Sequence, residues 1–204
     1  MRTKRIAPRI AQVLAVSALA LVLAACNALE NETDSMSRLI IVELTGLNAE
    51  GTSGNYIQSD VLFEDPATGA TSIIADIASA TLTAQMLDPD PVTGISPYAD
   101  IQLTGYHVSF TRADGKNTPG VDVPYPFEGS LSALVRVGSQ TGVSFVIVRE
   151  SAKMEQPLLS LLEPTSRAEI ITTIAQVDFF GHDLSNKAVK ATGTISITFA
   201  NYGN

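Results

Sequence analysis

The chain has 204 residues, of which 13 are basic and 21 acidic, for a formal net charge of −8. That balance argues against nucleic acid and anionic membrane surfaces as partners, since both repel it. One cysteine, two histidines and no tryptophan leave too little for a disulfide framework or a transition-metal ligand set.

At the N-terminus, Arg2, Lys4, Arg5 and Arg9 precede an apolar run from Ile10 to Leu23 interrupted only by Gln12 and Ser17. The run falls short of the roughly 20 apolar residues that span a bilayer, and small residues follow it. Residues 1–25 therefore read as a cleaved signal peptide. The closing Leu23-Ala24-Ala25-Cys26 resembles the lipobox of bacterial lipoproteins. The resemblance implies diacylglycerol on the Cys26 sulfur, cleavage after Ala25 and acylation of the new amino terminus. Two or three acyl chains, at about 0.8 kcal/mol per buried CH₂, hold a protein durably. The resemblance extends to sorting: Asn27 in place of Asp after the cysteine implies the outer membrane, on its periplasmic face or at the cell surface. Cleavage would remove four basic residues and no acidic one, leaving 179 of 204 residues with a net charge of −12.

Residues 26–37 are polar, acidic and aperiodic, as expected of a flexible tether. A single domain is expected over 38–204. Leu39–Leu44 opens it with a β-branched run, and Tyr56–Phe63 and Ala80–Leu87 are short strand candidates. Thr71–Ala80 reads as a strand or a short helix. Ile101–Phe110 alternates apolar and polar residues, with the period shifting across Gly105, which predicts a bulge there. Ala113–Gly120 is dense in turn residues. Leu131–Val137 and Val143–Arg149 read as two strands joined by a hairpin loop at 138–142. Lys153–Leu162 clusters leucines around Pro157 and suits a helical turn or packed loop, not a long helix. Ile170–Phe180 and Ile195–Phe199 complete the strands.

This succession predicts an all-β fold, an antiparallel β-sandwich with long loops and at most one or two short helices. The tail from Ala175 to Phe199 resembles the final hairpin of bacterial immunoglobulin-like and fibronectin-III-like domains. Asp183 and Asn186 stand where those domains carry the Asp and Asn of the turn, with Ser185 in place of glycine. About 165 residues follow the tether, against about 100 in a simple immunoglobulin domain, so extra strands and long loops are expected in the first half.

Catalytic chemistry finds little support. There is no G-x-S-x-G elbow, and His107 and His182 are isolated. The acidic loops at Asp88–Asp90 and Glu64–Asp65 lack the D-x-[DN]-x-[DN]-G calcium pattern. No metal, cofactor or catalytic residue is expected. In the loop 118–127, Pro124 and Pro126 flank Tyr125 and stiffen it, so Tyr125 and Phe127 are candidates for a protein contact; the alternative is that both cap the core. The expected role is a membrane-anchored, non-catalytic adaptor or structural module of the bacterial cell envelope, with an unidentified envelope protein as partner. The second reading is a small-ligand or carbohydrate-binding lipoprotein.

Overall fold

Alternation along the strands decides which side chains meet in the middle. In β7 (Ile101–Thr111), Ile101, Leu103, Tyr106, Val108 and Phe110 point inward. In β10 (Ile171–Asp183) the inward set is Thr173, Ala175, Val177 and Phe179. In β11 (Ala188–Ala200) it includes Ile195, Ile197 and Phe199. Each strand thus has one apolar face, and two sheets bury those faces against each other.

The computed structural model describes residues 35–48, 51–92, 94–163 and 169–202. The signal peptide, Ala25, Cys26 and the tether as far as residue 34 lie outside the described residues. The first strand, β1 (Ser37–Leu47), begins one residue ahead of the expected Arg38. Beside it lie β2 (Ser53–Gly54), β6 (Asp76–Met86) and β9 (Gln140–Val148), in the order β2-β1-β6-β9. The facing sheet runs β3-β11-β10-β7-β8, with β3 at Tyr56–Asp60 and β8 at Phe127–Val135. A small hairpin of β4 (Phe63–Glu64) and β5 (Thr71–Ser72) stands apart. In immunoglobulin lettering β1, β6 and β9 take the places of A, B and E. β8, β7, β10 and β11 take those of C′, C, F and G. The fold is thus the expected all-β sandwich. Its pairings are antiparallel except for β3, which runs parallel to β11.

The core centres on Tyr106, whose ring meets Phe145 at 4.9 Å and Phe127 at 6.3 Å, both edge-on. Phe145 in turn meets Phe179 at 5.1 Å, nearly perpendicular. Such pairs add about 0.5–1.5 kcal/mol each beyond their buried area. They link the two sheets, with Phe145 from one and Tyr106, Phe127 and Phe179 from the other.

The bulge expected at Gly105 is present. The β7–β8 register shifts between Leu103 and Gly105, and the β7–β10 register between Phe180 and Gly181. A Cβ on Gly181 would lie 2.1 Å from the Gln102 carbonyl oxygen, and one on Gly105 would lie 2.7 Å from the Phe180 ring. The Gln102 backbone at Gly181 and the Phe180 ring at Gly105 leave no room for a side chain.

The alternative left open at 71–80 resolves to strand, whereas the hairpin expected at 138–142 is overturned. Thr71–Ala80 is extended, split between β5 and β6. The expected hairpin at 138–142 is instead a crossing between sheets, since β8 pairs with β7 and β9 with β6. The crossing is fixed by the Val137 N–H, which donates to the Asp100 carboxylate at 3.0 Å, and by the Gly138 N–H, which donates to the Ala84 carbonyl at 3.1 Å. Segment 150–162 forms one helical turn at Glu150–Lys153 and a 3₁₀ turn at Leu158–Leu162, whose Leu158 and Leu161 are fully buried.

Candidate functional site

The sandwich has two unlike poles. At the first lie the start of β1, the β6–β7 loop (87–100) and the turn between β10 and β11. Asp183 ties them together. Its Oδ1 accepts from the backbone N–H groups of Ser185 and Lys187, both at 2.9 Å. Its Oδ2 accepts from the Ser35 hydroxyl at 2.8 Å and the Met36 N–H at 3.3 Å. Burial alone would raise its pKa, but these four donors outweigh it and hold the carboxyl below the usual range. Asn186 completes the turn at φ 64°, a left-handed conformation that asparagine tolerates. The Asp and Asn of the anticipated hairpin therefore both sit in the turn.

The second pole gathers the ends of β3, β7, β9 and β11, the β4–β5 hairpin and the helical turn after β9. There the Lys153 side chain is completely buried, donating to the Asp76 carboxylate at 2.9 Å and the Asp60 carbonyl at 2.8 Å. Ser59 donates to the other Asp76 oxygen at 2.5 Å. The Asp60 carboxylate accepts from the backbone N–H groups of Tyr202 and Leu62. Burial pushes the Asp76 and Asp60 carboxyls above their ordinary value, although the Lys153 charge pulls both the other way. Above this cluster opens a concavity of about 630 Å³. Leu47, Phe63, Ile74 and Ile77 form an exposed apolar rim around it.

Chemically the concavity is suited to binding. None of its described lining residues is a histidine, cysteine or serine, and its half-buried Asp60 and Asp76 carboxylates already have partners. His107 lies on the outer face of the second sheet, with Nδ1 3.9 Å from an Asp178 oxygen that Lys190 also approaches at 2.9 Å. His182 Nδ1 is 3.1 Å from the Asp183 carbonyl oxygen, near the opposite pole. The structure does not bring the two histidines into the concavity.

The acidic loops form turns. Asp88 accepts from the Asp90 N–H at 3.1 Å, while Asp65 accepts from the Ala67 N–H and the Thr68 hydroxyl. Among the described residues no three His, Cys, Asp or Glu side chains group as a metal site. No described helix is long and apolar enough to cross a membrane.

Tyr125 and Phe127 part company. Phe127 is buried under the Arg149 guanidinium, which lies 4.0 Å from its ring centre. Tyr125 is 56% exposed and lies over Gly120, where a Cβ would fall 2.2 Å from the ring. The Lys153–Asp76 pair escaped the sequence reading. Its visible trace was a lone aspartate inside the apolar run Ile73–Ile77.

No protein-family model matches the chain, and no curated protein matches it. Among solved structures it is similar to the X-ray structure of Northeast Structural Genomics Consortium target SoR45. That likeness has 12% identity and a TM-score of 0.33, covering 83% of this chain and 90% of the other. Similarity at that level says nothing about function.

Proposed function

We propose that this protein is a lipid-anchored, non-catalytic adaptor of the bacterial cell envelope, presenting the concavity at its second pole to a protein partner. One observation supports the reading above others: the chain enters the sandwich at the pole pinned by Asp183, whereas the concavity with its apolar rim lies at the opposite pole. A lipid on Cys26 would then leave the concavity facing away from the bilayer. An exposed rim of Leu47, Phe63, Ile74 and Ile77 is the chemistry by which a protein partner is gripped.

The test has two arms. Replacing Cys26 with Ser should abolish acyl mass and release the protein from membranes; retention in the membrane at full precursor size sinks the anchor. A photo-crosslinking residue at Ile77 or Phe63 should capture one defined envelope protein in cells. The same probe at Thr194, on the outer face of the second sheet, should not. Equal capture at all three positions removes the adaptor reading.

The second reading, a small-ligand carrier, is favoured by the concavity's volume, which falls within the range of ligand sites. It predicts that a soluble ligand co-purifies and is lost when Ile77 is replaced by Arg.

A further inference from the structure

The first pole carries an apolar surface of its own. The β6–β7 loop exposes Leu87, Val92, Ile95 and Tyr98, and Met36 and Leu184 lie beside it. Val92 is fully exposed, at 102%. Pro89, Pro91 and Pro97 each fix one φ angle along the loop, and the Gly94 N–H donates to the Pro91 carbonyl at 2.9 Å. The 3₁₀ turn at Pro97–Ala99 starts at Ser96, whose hydroxyl accepts from the Tyr98 N–H. Grouping this many exposed apolar side chains at one pole is unfavourable in water, which implies an occupant.

The loop is fastened to the start of β1. Ser37 donates to the Ala99 carbonyl at 2.5 Å, and the Leu87 N–H donates to the Met36 carbonyl at 2.9 Å. The Leu184 N–H donates to the carbonyls of both Tyr98 and Asp100. Both ends of the apolar loop are therefore tied to the point where the chain enters the sandwich. Nine residue steps separate Ser35 from Cys26, a reach of at most about 30 Å when fully extended. Strands of 13 residues place the second pole roughly 40 Å further off.

We propose that this pole rests on the bilayer, with Val92, Ile95 and Tyr98 inserted into the interface of zwitterionic lipid. The inference rests on the lipoprotein reading of Cys26. Aliphatic side chains with an exposed tyrosine suit the headgroup boundary. Asp88 and Asp90 on the same loop, and the mature charge of −12, set it against anionic lipid, while Arg136 and Lys187 at this pole offset part of that charge. Three side chains bind lipid weakly in isolation; a lipid anchor within about 30 Å raises their effective concentration enough to orient the domain.

Because the chain has no tryptophan, a single introduced one reports depth without background. Val92→Trp and Tyr125→Trp are each made in the full chain, checked by mass for acylation and reconstituted in phosphatidylcholine/phosphatidylethanolamine vesicles with brominated acyl chains. The proposal expects acylated protein in which the Val92→Trp emission is blue-shifted and quenched, while the Tyr125→Trp emission, at the second pole, remains that of a water-exposed indole. In the Cys26→Ser background both should read as in water. Acylated protein with an unquenched Val92→Trp overturns the proposal and leaves the anchor standing. Quenching of both probes overturns it too, because the domain then has no preferred pole. Absence of acyl mass overturns the anchor and the proposal together.

Discussion

Replacing Asp183 should cost more stability than any other single polar substitution at the first pole. Its two oxygens accept from Ser185, Lys187, Ser35 and Met36, and Ser35 is itself buried. In Asp183→Ala, the amides of Ser185, Lys187 and the exposed Met36 can turn to water, but the buried Ser35 hydroxyl loses its acceptor. Charged acceptors contribute about 1.5–3 kcal/mol per bond and orphaned donors cost about 1–3 kcal/mol, so allowing for non-additivity the loss is about 4 kcal/mol. For a domain of this size that lowers Tm by roughly 8–16 °C. Asp183→Asn should cost about half as much: its carbonyl still accepts from Ser185 and Lys187, and the Ser35 hydroxyl can rotate to accept from the new amide, leaving Met36 unmatched. The pH dependence follows from the depressed pKa. The stabilisation is complete above the ordinary carboxyl value of about 3.9 and disappears as pH falls through the lower native value. Urea unfolding of wild type and both variants, at pH 7 and again near pH 2.5, reads all three effects. A loss under 1 kcal/mol for Asp183→Ala, or a wild-type advantage undiminished in acid, refutes the reasoning.

Lys153→Met should destabilise by about 3–5 kcal/mol in the same assay, because Asp76 is left buried without its cation. Its pH dependence runs opposite to that of Asp183: a raised carboxyl pKa means the folded state takes up the proton first, so this variant should regain stability as pH falls from neutral towards the ordinary carboxyl range. Gly181→Ala should cost about 3 kcal/mol, since its Cβ meets the Gln102 backbone and not a side chain that can swing away; a smaller loss would show that the bulge relaxes. Tyr125→Ala should leave Tm within about 2 °C, whereas Phe127→Ala should lose about 3 kcal/mol with its core contacts and its Arg149 partner.

What the sequence disclosed was local. Alternation along Ile101–Phe110 named the buried face of β7, and the shift at Gly105 located the bulge, because both are properties of consecutive residues. The turn at 183–186 was legible for the same reason. The partners were not. Ser35 lies 148 residues from Asp183, and Lys153 lies 77 from Asp76, so neither pairing leaves a trace in spacing. The segment 138–142 shows the limit most clearly. Two strands separated by a glycine-bounded loop look alike whether they pair or part, and the outcome was set by Asp100 and Ala84, far back in the chain. Tyr125 and Phe127, treated alike in sequence, separate because Phe127 opens β8 facing inward while Tyr125 precedes the strand.

The buried Lys153–Asp76 pair raises a sharper question, since a well-packed apolar pair of similar volume is often as stable or more so. What apolar residues lack is direction. The ammonium reaches both the Asp76 carboxylate at the start of β6 and the Asp60 carbonyl at the end of β3, so it fixes one strand end from each sheet to the helical turn after β9. Those same strand ends, with Asp60 and Asp76 among their residues, line the concavity. The cost of burying two charges is thus spent where the shape of the candidate binding surface is decided. Replacing both partners by apolar residues should then separate two properties that a single replacement confounds: a Lys153→Met/Asp76→Leu protein should recover most of the stability lost in Lys153→Met, yet capture its crosslinked partner through Ile77 less well. Full recovery of both would mean that the pair does no more than fill space.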